Sequence, residues 1–318
     1  MASNLETLVT VFGGSGFLGR NVVRALCKRD YRIRVAVRRP ELAGFLQPAG
    51  KVGQVHTVQA NLRYPASVEA AMRDSHIAIN LVGILTESGA QSFDAVQAKG
   101  AETIAKAAAA AGARLVHVSA IGADAESPSQ YARAKAAGEV AVTAAVPSAT
   151  IFRPSVMFGP EDQFTNRFAA LARMSPVLPL IGGDTKMQPV YVGDVATAIA
   201  DAVDGKAKAG ATYELGGPEV LTMREIIEAI LAITDRKRAL IPLPFGLARF
   251  QANFLQFAPG GLKLTPDQVT LLERDNVVSD AAKAAGLTLE GLGISADSLE
   301  AIAPQYLWRF RAAGQFQR

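Results

Sequence analysis

The chain has 318 residues, of which 49% are hydrophobic and 19% are charged, and this composition excludes disorder as its main state because a large core can form. Its net charge of +4 is carried by dispersed basic residues, which argues against a nucleic-acid-binding function. The single cysteine, Cys27, excludes an intrachain disulfide, and the three scattered histidines predict no metal site.

Strand-like apolar runs alternate with helical stretches along the first half of the chain. Strands are expected at residues 9–12, 32–37, 55–59, 76–82, 114–119 and 149–152, and helices at residues 16–28, 66–72, 93–111 and 130–143. This order is typical of βαβ units with a parallel sheet. We therefore expect an α/β fold of the Rossmann type, a doubly wound parallel sheet whose ligand lies beyond the C-terminal ends of the strands.

A glycine-rich turn links the first expected strand to the first expected helix. The spacing fits a nucleotide pyrophosphate site, because Gly13 can take the tight turn, Gly16 lets a phosphate approach the backbone and Gly19 lets the helix pack closely. The free N–H groups at the start of the helix would face the anion. An ordinary turn between a strand and a helix is the alternative. The residues expected to bind the cofactor here are Gly13, Ser15, Gly16, Phe17, Leu18 and Gly19.

The second expected strand ends in Arg38 and Arg39, with no carboxylate before Glu41. In dinucleotide sites an acidic side chain at this position suits a free ribose 2′-hydroxyl, whereas arginine suits a 2′-phosphate. The two guanidinium groups can grip a phosphate bidentately, so the sequence favours NADPH over NADH. A pair of solvated arginines at a strand end is the alternative.

Two further strand ends supply candidate cofactor contacts. Asn61 and Leu62 follow the third strand, where an amide can meet the adenine edge and a leucine can cover the ring. The segment Leu81–Val82–Gly83 closes the fourth strand and would bring apolar surface and a closely approaching glycine beside the adenosine ribose and the nicotinamide. A buried strand end would place the same residues there without a ligand.

Three residues raise the question of catalysis. Tyr131 and Lys135 are four residues apart, which puts the phenol and the ammonium on one face of a helix that follows a strand ending in Ser119. A nearby lysine lowers a phenol pKa, so such a tyrosine can pass a proton to or from a carbonyl while hydride moves to the cofactor. The sequence therefore predicts a candidate catalytic set of Ser119, Tyr131 and Lys135.

The character of the sequence changes after Arg153, where prolines and paired glycines punctuate shorter elements. We expect residues 1–153 to form the NADP-binding Rossmann core. Residues 154–318 would combine the remaining core elements with a smaller C-terminal docking lobe, since residues 190–204 and 212–216 could return to the main sheet. Thr222 followed by Glu225 resembles a capping box and predicts a helix to about residue 234.

Over roughly residues 7–235 these motifs resemble the extended, atypical branch of the short-chain dehydrogenase/reductase superfamily. The glycine pattern, the Tyr131/Lys135 pair and the run from Arg153 to Pro160 carry the resemblance. It implies that Lys135 also binds the nicotinamide ribose and that the segment after Arg153 lies along the nicotinamide. The candidate cofactor contacts in that segment are Pro154, Ser155 and Val156.

The catalytic pattern of this superfamily is incomplete here. Enzymes of the extended branch carry an essential hydroxyl one or two positions further along the Ser119 motif, where this chain has Ala120 and Ile121. They also present an asparagine in the helix after the fourth strand, where this chain has Gln97. The resemblance therefore predicts that Ser119, Tyr131 and Lys135 are vestigial as a proton relay.

Three longer segments, residues 117–124, 129–139 and 158–166, look like the NADPH-binding accessory subunit of respiratory complex I, the NADH:ubiquinone oxidoreductase, in a bacterial form. This resemblance implies a structurally held NADPH, no dehydrogenase turnover by the chain itself, and other complex I subunits as partners. Two alternatives remain open. One is an NADPH-dependent short-chain reductase or epimerase that uses Tyr131 and Lys135, and the other is a binding protein that reports the NADPH/NADP⁺ ratio.

The segment from Phe245 to Phe257 contains four phenylalanines and a single charge, Arg249. It forms either part of a core or a docking surface for another subunit or for the membrane–water interface. The sequence shows no signal peptide and no apolar run of the roughly 18 residues that a spanning helix needs. We therefore expect a peripheral protein on the cytoplasmic side of the bacterial inner membrane, with no nucleic acid as a partner.

Overall fold

The computed structural model describes residues 4–258, 262–312 and 314. The strands in this part of the chain are β1 (Leu8–Phe12), β2 (Arg32–Val37), β3 (Val55–Gln59), β4 (Ile77–Asn80), β5 (Arg114–Val118), β6 (Thr150–Pro154), β7 (Met157–Phe158), β8 (Val177–Ile181), β9 (Lys186–Met187), β10 (Val190–Tyr191), β11 (Thr212–Leu215), β12 (Leu221–Thr222) and β13 (Ala239–Leu243).

The α-helices of the described residues are α1 (Phe17–Cys27), α2 (Pro65–Met72), α3 (Lys99–Ala110), α4 (Gln130–Ala145), α5 (Thr165–Met174), α6 (Val192–Val203), α7 (Met223–Ile233), α8 (Phe245–Leu255), α9 (Pro266–Leu271), α10 (Asp280–Ala284), α11 (Leu299–Ile302) and α12 (Pro304–Leu307). A π-helical turn, Asp94–Ala98, precedes α3. Short 3₁₀ segments lie at Asn4–Glu6, Pro40–Ala49, Glu290–Leu292 and Trp308–Phe310. Among the described helices, none has both the length and the apolar character needed to cross a bilayer.

The chain folds into two compact units. The first unit comprises residues 1–153, 193–214 and 281–294, and the second comprises residues 154–192, 215–280 and 295–318. Each unit is therefore assembled from segments that are distant in sequence.

The first unit is built around a seven-stranded sheet with the order β11-β6-β5-β4-β1-β2-β3. Its strand pairs are parallel, and β1 lies between β2 and β4. The switch in strand order beside β1 is the point where doubly wound sheets bind dinucleotides. The predicted Rossmann-type fold is confirmed.

Buried side chains explain why these segments form the sheet. β1 is buried at all five positions, as expected for a strand covered by helices on both faces. The alanine-rich side of α3 packs into a core cluster that includes Ile104, Ala108 and Leu115. The small alanine side chains allow α3 to lie close to the sheet.

The segment after residue 190 is divided between a helix and a strand of the first unit. β11 joins the main sheet as its edge strand, as predicted for residues 212–216. Residues 192–203 form α6 instead of a strand. The Arg29 guanidinium pairs with Asp201 at 2.8 Å and with Asp204 at 2.6 Å, and this contact fastens the end of α6 to the residues between α1 and β2.

The described residues of the second unit form three two-stranded ladders, β7 with β10, β8 with β13, and β9 with β12. Its larger core cluster combines residues of α5, α7, α11 and α12, among them Ala169, Ile226 and Leu307. α7 begins with the predicted capping box, in which Thr222 and Glu225 each bond the other's backbone N–H. A smaller cluster, Ala248, Ala252 and Val269, packs α8 against α9.

Candidate functional site

The turn after β1 has the backbone geometry of the predicted pyrophosphate loop. Gly13 has φ +79°, a left-handed conformation that favours glycine. A Cβ on Gly19 would clash with the Gly13 carbonyl oxygen and with the backbone of Gly14. α1 therefore approaches the turn more closely than any larger residue at position 19 would allow.

The start of α1 has open hydrogen-bond donors. Its cap position, Gly16, provides no side-chain cap, so the first N–H groups of the helix remain available to an anion. Arg20 turns back onto the loop, where its guanidinium donates to the Ser15 carbonyl at 3.2 Å and lies 5.0 Å from the ring centroid of Phe45. Phe17 is half-buried and Leu18 is buried, so Leu18 can offer a ligand its backbone N–H.

Arg38 and Arg39 follow β2, which pairs directly with β1. Both side chains are exposed, and within the described residues neither forms an ion pair or a side-chain hydrogen bond. Arg34, in the middle of the same strand, instead donates to the carbonyls of Ala71 and Arg73. The two terminal arginines are thus uncommitted cations on the strand that borders the glycine turn.

Asn61 and Leu62 follow β3 at the same edge of the sheet. The Asn61 side-chain oxygen accepts the Arg63 N–H at 3.2 Å, and the Asn61 N–H donates to Ser67. Leu62 is half-buried and packs against Gly100, where a Cβ would meet its side chain. Asn61 therefore keeps its amide NH₂ for a ligand, while Leu62 serves the core as well as the site.

The segment Leu81–Val82–Gly83 lies on the other side of the glycine turn. A Cβ on Gly13 would stand 3.2 Å from the Leu81 carbonyl carbon and from Val82, so the ends of β1 and β4 touch. The Asn80 side-chain oxygen accepts the Val82 N–H at 3.0 Å and fixes this segment. β4 ends at Asn80, two residues before the predicted end, which leaves Leu81 and Val82 half-buried beyond the sheet.

Lys135 and Tyr131 are brought together on α4 as predicted. The Lys135 ammonium lies 5.9 Å from the Tyr131 ring centroid and donates to the Val118 carbonyl at 3.2 Å. Phe93 packs edge-on against the Tyr131 ring, with centroids 5.8 Å apart. Lys135 is also close to Gly83, since a Cβ there would be 3.5 Å from its ammonium.

Burial controls the protonation of Lys135. Desolvation lowers the pKa of its ammonium to about 8, although the nearby Glu139 carboxylate acts in the opposite direction. The amine is thus mostly charged at pH 7 but releases its proton far more readily than an ordinary lysine. Such a group can hold a ribose hydroxyl or move a proton.

Ser119 is buried directly after β5, and its N–H donates to the Phe152 carbonyl at 2.7 Å. Its hydroxyl oxygen is buried and has no hydrogen-bond partner among the described residues. The Gln97 side-chain oxygen is likewise buried without a partner there, while its NH₂ group donates to the Ile84 carbonyl. Unpaired buried polar atoms are costly, and they mark candidate places for an outside group.

A buried pair beneath the site escaped the sequence analysis. The Asn80 amide donates to Nδ1 of His117 at 3.1 Å. Burial, with a smaller contribution from the Lys135 charge, lowers the pKa of His117 to about 3, so the ring is neutral. Since Nδ1 accepts, Nε2 carries the proton. The pair holds the end of β4 against β5 without adding charge beside Lys135.

A second missed contact links α4 to the sheet. The Arg153 guanidinium grips Glu139 bidentately at 2.9 and 2.6 Å, and it lies 3.7 Å from Glu214. Glu139 is one helical turn after Lys135, so this ion pair fixes the face of α4 that carries Tyr131 and Lys135. The spacing of Lys135 and Glu139 by four residues indicates only a shared helix face, and it does not identify Arg153 as the partner of Glu139.

Pro154, Ser155 and Val156 belong to the second unit. There the Ser155 hydroxyl donates to the Asn276 side-chain oxygen at 2.6 Å, and the Val156 N–H donates to the same atom at 3.1 Å. The remaining predicted cofactor contacts, from the glycine turn to Lys135, lie in the first unit. Asn276 is the residue that shapes this segment, and its sequence position 120 residues later gave no sign of that role.

Comparison with known proteins identifies the family of the chain. A model described as the NAD dependent epimerase/dehydratase family matches residues 9–216, which is more than half of the chain. The chain belongs to this family. The predicted resemblance to short-chain dehydrogenases is thereby confirmed, and the glycine turn of this epimerase/dehydratase family member lies inside the matched region.

Two relatives of this epimerase/dehydratase family member have informative names. It is 37% identical over 320 residues to NADH dehydrogenase (ubiquinone) 1 alpha subcomplex subunit 9, mitochondrial, of Arabidopsis thaliana, an alignment that covers 96% of this chain and 79% of the relative. It is also 37% identical over 199 residues to the ceramide reductase of Caulobacter vibrioides, covering 63% and 62% of the two chains. The first similarity confirms the predicted resemblance to the complex I subunit.

A solved structure shares the fold of this epimerase/dehydratase family member. An NADPH-dependent quinone oxidoreductase of Escherichia coli, complexed with NADPH, superimposes with a TM-score of 0.74 at 20% identity. The alignment covers 94% of this chain and 99% of the other chain. This likeness agrees with the Rossmann-type α/β fold described above.

Proposed function

We propose that this chain is an NADPH-binding accessory subunit of a complex I-type NADH:quinone oxidoreductase. It would stabilise or help assemble the complex near the quinone site and carry out no dehydrogenase turnover itself. The observation that carries the proposal is the 37% identity, over 96% of the chain, to a protein named as a subunit of NADH dehydrogenase (ubiquinone).

The cofactor in this proposal is NADPH. The close approach of α1 to the glycine turn and the uncapped start of α1 suit a pyrophosphate, and a Cβ at Gly19 would remove this close approach. Arg38 and Arg39 would hold the 2′-phosphate, and their lack of other side-chain partners in the described chain supports this role. NADPH can supply hydride when bound, but binding alone is what the accessory role needs.

The remaining contacts would position the two ends of the cofactor. The Asn61 amide and Leu62 would meet the adenine, and Leu81, Val82 and Gly83 would line the ribose and the nicotinamide. Lys135 would donate to the nicotinamide ribose, since it lies close to Gly83. Ser119 and Tyr131 are further proposed contacts. The family resemblance also implies that Pro154, Ser155 and Val156 would lie along the nicotinamide.

A structural rather than catalytic role is supported by the residues at the positions where enzymes of the extended branch carry relay groups. Ala120 and Ile121 provide no hydroxyl, and the Gln97 side chain is bonded to the Ile84 carbonyl. A relay that passes a proton in and out of the site requires hydrogen-bonding groups at these positions.

The partners would be other subunits of the complex, with a membrane contact through Phe245–Phe257. Phe250, Phe254 and Phe257 are exposed by 63%, 68% and 83%, and Leu247 lies on the same helix face. Exposed aromatic side chains on an amphipathic helix suit the membrane–water interface. We therefore propose a peripheral subunit on the cytoplasmic side of a bacterial inner membrane.

The experiment for the isolated chain is a cofactor analysis followed by a turnover assay. Purified chain should carry NADPH through gel filtration and should not oxidise it with small carbonyl compounds or sugar nucleotides. Steady NADPH oxidation with any of these substrates would contradict the non-catalytic role.

A short-chain reductase or epimerase is the second candidate, and the buried Lys135 beside Tyr131 favours it. An ammonium with a pKa of about 8 can pass protons near neutral pH. Tyr131→Phe separates the two functions because it removes only the phenolic hydroxyl. The variant should lose all turnover if the chain is an enzyme, and it should leave assembly of the complex unchanged if the chain is an accessory subunit.

A further inference from the structure

The second unit contains an apolar cavity of about 480 Å³. Its wall is formed mainly by α5, α7, α9 and β8, and it includes Phe164, Phe168, Leu171, Ile227 and Leu264. Close-packed protein interiors contain few voids larger than a water molecule. This volume falls within the roughly 300–1,000 Å³ range of small-molecule sites.

One cation interrupts the apolar wall. Arg167, on α5, lines the cavity, and no acidic residue of the described chain does so. Its guanidinium donates to the Lys263 carbonyl at 2.8 Å, but its Nε is buried and has no hydrogen-bond partner among the described residues. Burial also lowers the pKa of Arg167. A guanidinium in this setting is suited to a carboxylate or a phosphate.

The apolar character of the cavity extends to the surface of the same unit. Two of its wall residues, Val177 and Leu262, are exposed by 38% and 50%. Leu255 of α8 also lines the cavity, and the adjacent Phe254 is exposed. The cavity therefore borders exposed apolar side chains of the same unit.

We propose that this cavity binds one long acyl chain that ends in an anionic group, with the chain against Leu171 and Ile227 and the anion at Arg167. The apolar wall suits the hydrocarbon part of the ligand, and the unpaired Nε of Arg167 suits its anionic group. Such an acyl chain can come from a membrane lipid or from a free fatty acid. The proposal concerns residues of the second unit alone and is independent of the complex I role.

The first test is a titration of the full chain with cis-parinaric acid, a fluorescent fatty acid, followed by displacement with myristate or with 1-tetradecanol. We expect saturable binding and at least 10-fold tighter displacement by myristate, because only myristate offers an anion to Arg167. Absence of saturable binding, or equal displacement by the two competitors, would overturn the proposal.

Substitutions then locate the site. Leu171→Trp should fill the cavity and weaken cis-parinarate binding at least 10-fold, and Leu264→Trp provides a second filling variant if the first does not fold. Arg167→Met should remove the preference for myristate over 1-tetradecanol. Arg173→Met is the matched control, since this exposed arginine on the same helix does not line the cavity.

The preference for myristate should survive in the Arg173→Met variant. Unchanged binding in a folded cavity-filling variant would show that the ligand sits elsewhere, and equal effects of Arg167→Met and Arg173→Met would show general charge attraction. Either result would refute the site. Thermal unfolding establishes that each variant is folded.

The source of the acyl chain is decided with vesicles of phosphatidylcholine, with and without phosphatidylglycerol. If a membrane lipid fills the cavity, Leu171→Trp should weaken sedimentation of the chain with the mixed vesicles as well as cis-parinarate binding. If a free fatty acid fills it, Leu171→Trp should weaken only cis-parinarate binding. Both results support the proposed chemistry, whereas weakened vesicle binding with unchanged cis-parinarate binding would contradict it.

Discussion

At the scale of single residues, charge and burial separate the side chains available to a ligand from those that hold the fold. Arg38 and Arg39 are exposed and have no side-chain partners in the described chain, whereas Arg153 is committed to Glu139. Lys135 has features of both groups. It is buried and donates to the Val118 carbonyl, but its amine can still ionise and contact a ligand. These differences yield two predictions.

The double substitution Arg38→Gln with Arg39→Gln should weaken NADPH binding about 100- to 10,000-fold and leave NADH binding nearly unchanged. Each lost charge-assisted hydrogen bond is worth about 1.5–3 kcal/mol, and about 1.4 kcal/mol is a factor of 10 in affinity. Calorimetric titration with both cofactors measures the effect. Arg32→Gln, an exposed arginine at the other end of β2, is the control. An equal loss of affinity for NADPH and NADH would contradict the proposal that Arg38 and Arg39 bind the 2′-phosphate.

Lys135→Met should raise the free energy of unfolding at pH 7 by about 3 kcal/mol, a value that follows from about 1.4 kcal/mol per pKa unit. The folded pKa of about 8 lies below the reference value of 10.5, so the unfolded chain binds more protons between these values. The contribution of Lys135 to the free energy of unfolding therefore rises from pH 8 to 10.5.

Urea unfolding of the cofactor-free chain at several pH values measures this difference between Lys135→Met and the parent chain. The gap should shrink as the pH rises from 8 to 10.5, because the lysine then loses its charge in both states. The loss of the hydrogen bond to Val118 lowers the free energy of unfolding of Lys135→Met by an amount that does not change with pH. A gap that is independent of pH would show that burial of the charge has no energetic cost.

At the scale of elements, close packing of α1 against its turn and the exposed face of α8 have the clearest consequences. Gly19→Ala should destabilise the chain by about 1–3 kcal/mol and abolish NADPH binding, since the new methyl group would push α1 off the loop. Gly246→Ala is the matched control, because this glycine also lies in the first turn of a helix but a Cβ there meets nothing within 4 Å. Chemical unfolding and cofactor titration report the two effects, and equal stability of both variants would disprove the packing explanation.

The apolar face of α8 should be needed for membrane contact but not for folding. Phe250→Gln with Phe254→Gln should reduce sedimentation with lipid vesicles several-fold and change the melting temperature little, because both rings are exposed. Tyr64→Gln, an exposed aromatic residue of the first unit, should have no effect on sedimentation. Sedimentation unaltered by the double substitution would exclude this face as the contact.

Most elements of residues 1–153 could be predicted because short apolar runs alternate there with helical stretches. The bounds of β2 and β3 match the predicted residues, since β-branched runs there are limited by turns. The elements of the second unit were harder to predict from the sequence. Four of its strands, β7, β9, β10 and β12, have only two residues each and show no periodicity. Contacts between distant positions, such as Ser155 with Asn276, depend on the fold and leave no local pattern.

At the scale of the whole molecule, a dinucleotide fold is combined with a second unit that has an apolar helix face and an apolar cavity. The glycine turn and the arginines after β2 could be predicted from sequence because their chemistry is local. The pairing of Arg153 with Glu139 and the burial of Lys135 required the structure. The central claim is that the chain binds NADPH without turning it over and associates with other subunits of a complex I-type enzyme.

The most direct test is to tag the chain in its native cell, extract the membranes gently and separate the complexes by size. We predict that the chain migrates with a large assembly that oxidises NADH, that NADPH is released when this fraction is denatured, and that Tyr131→Phe leaves the migration unchanged. Migration of the chain only as a free species of low mass, apart from any NADH-oxidising assembly, would contradict the accessory-subunit role.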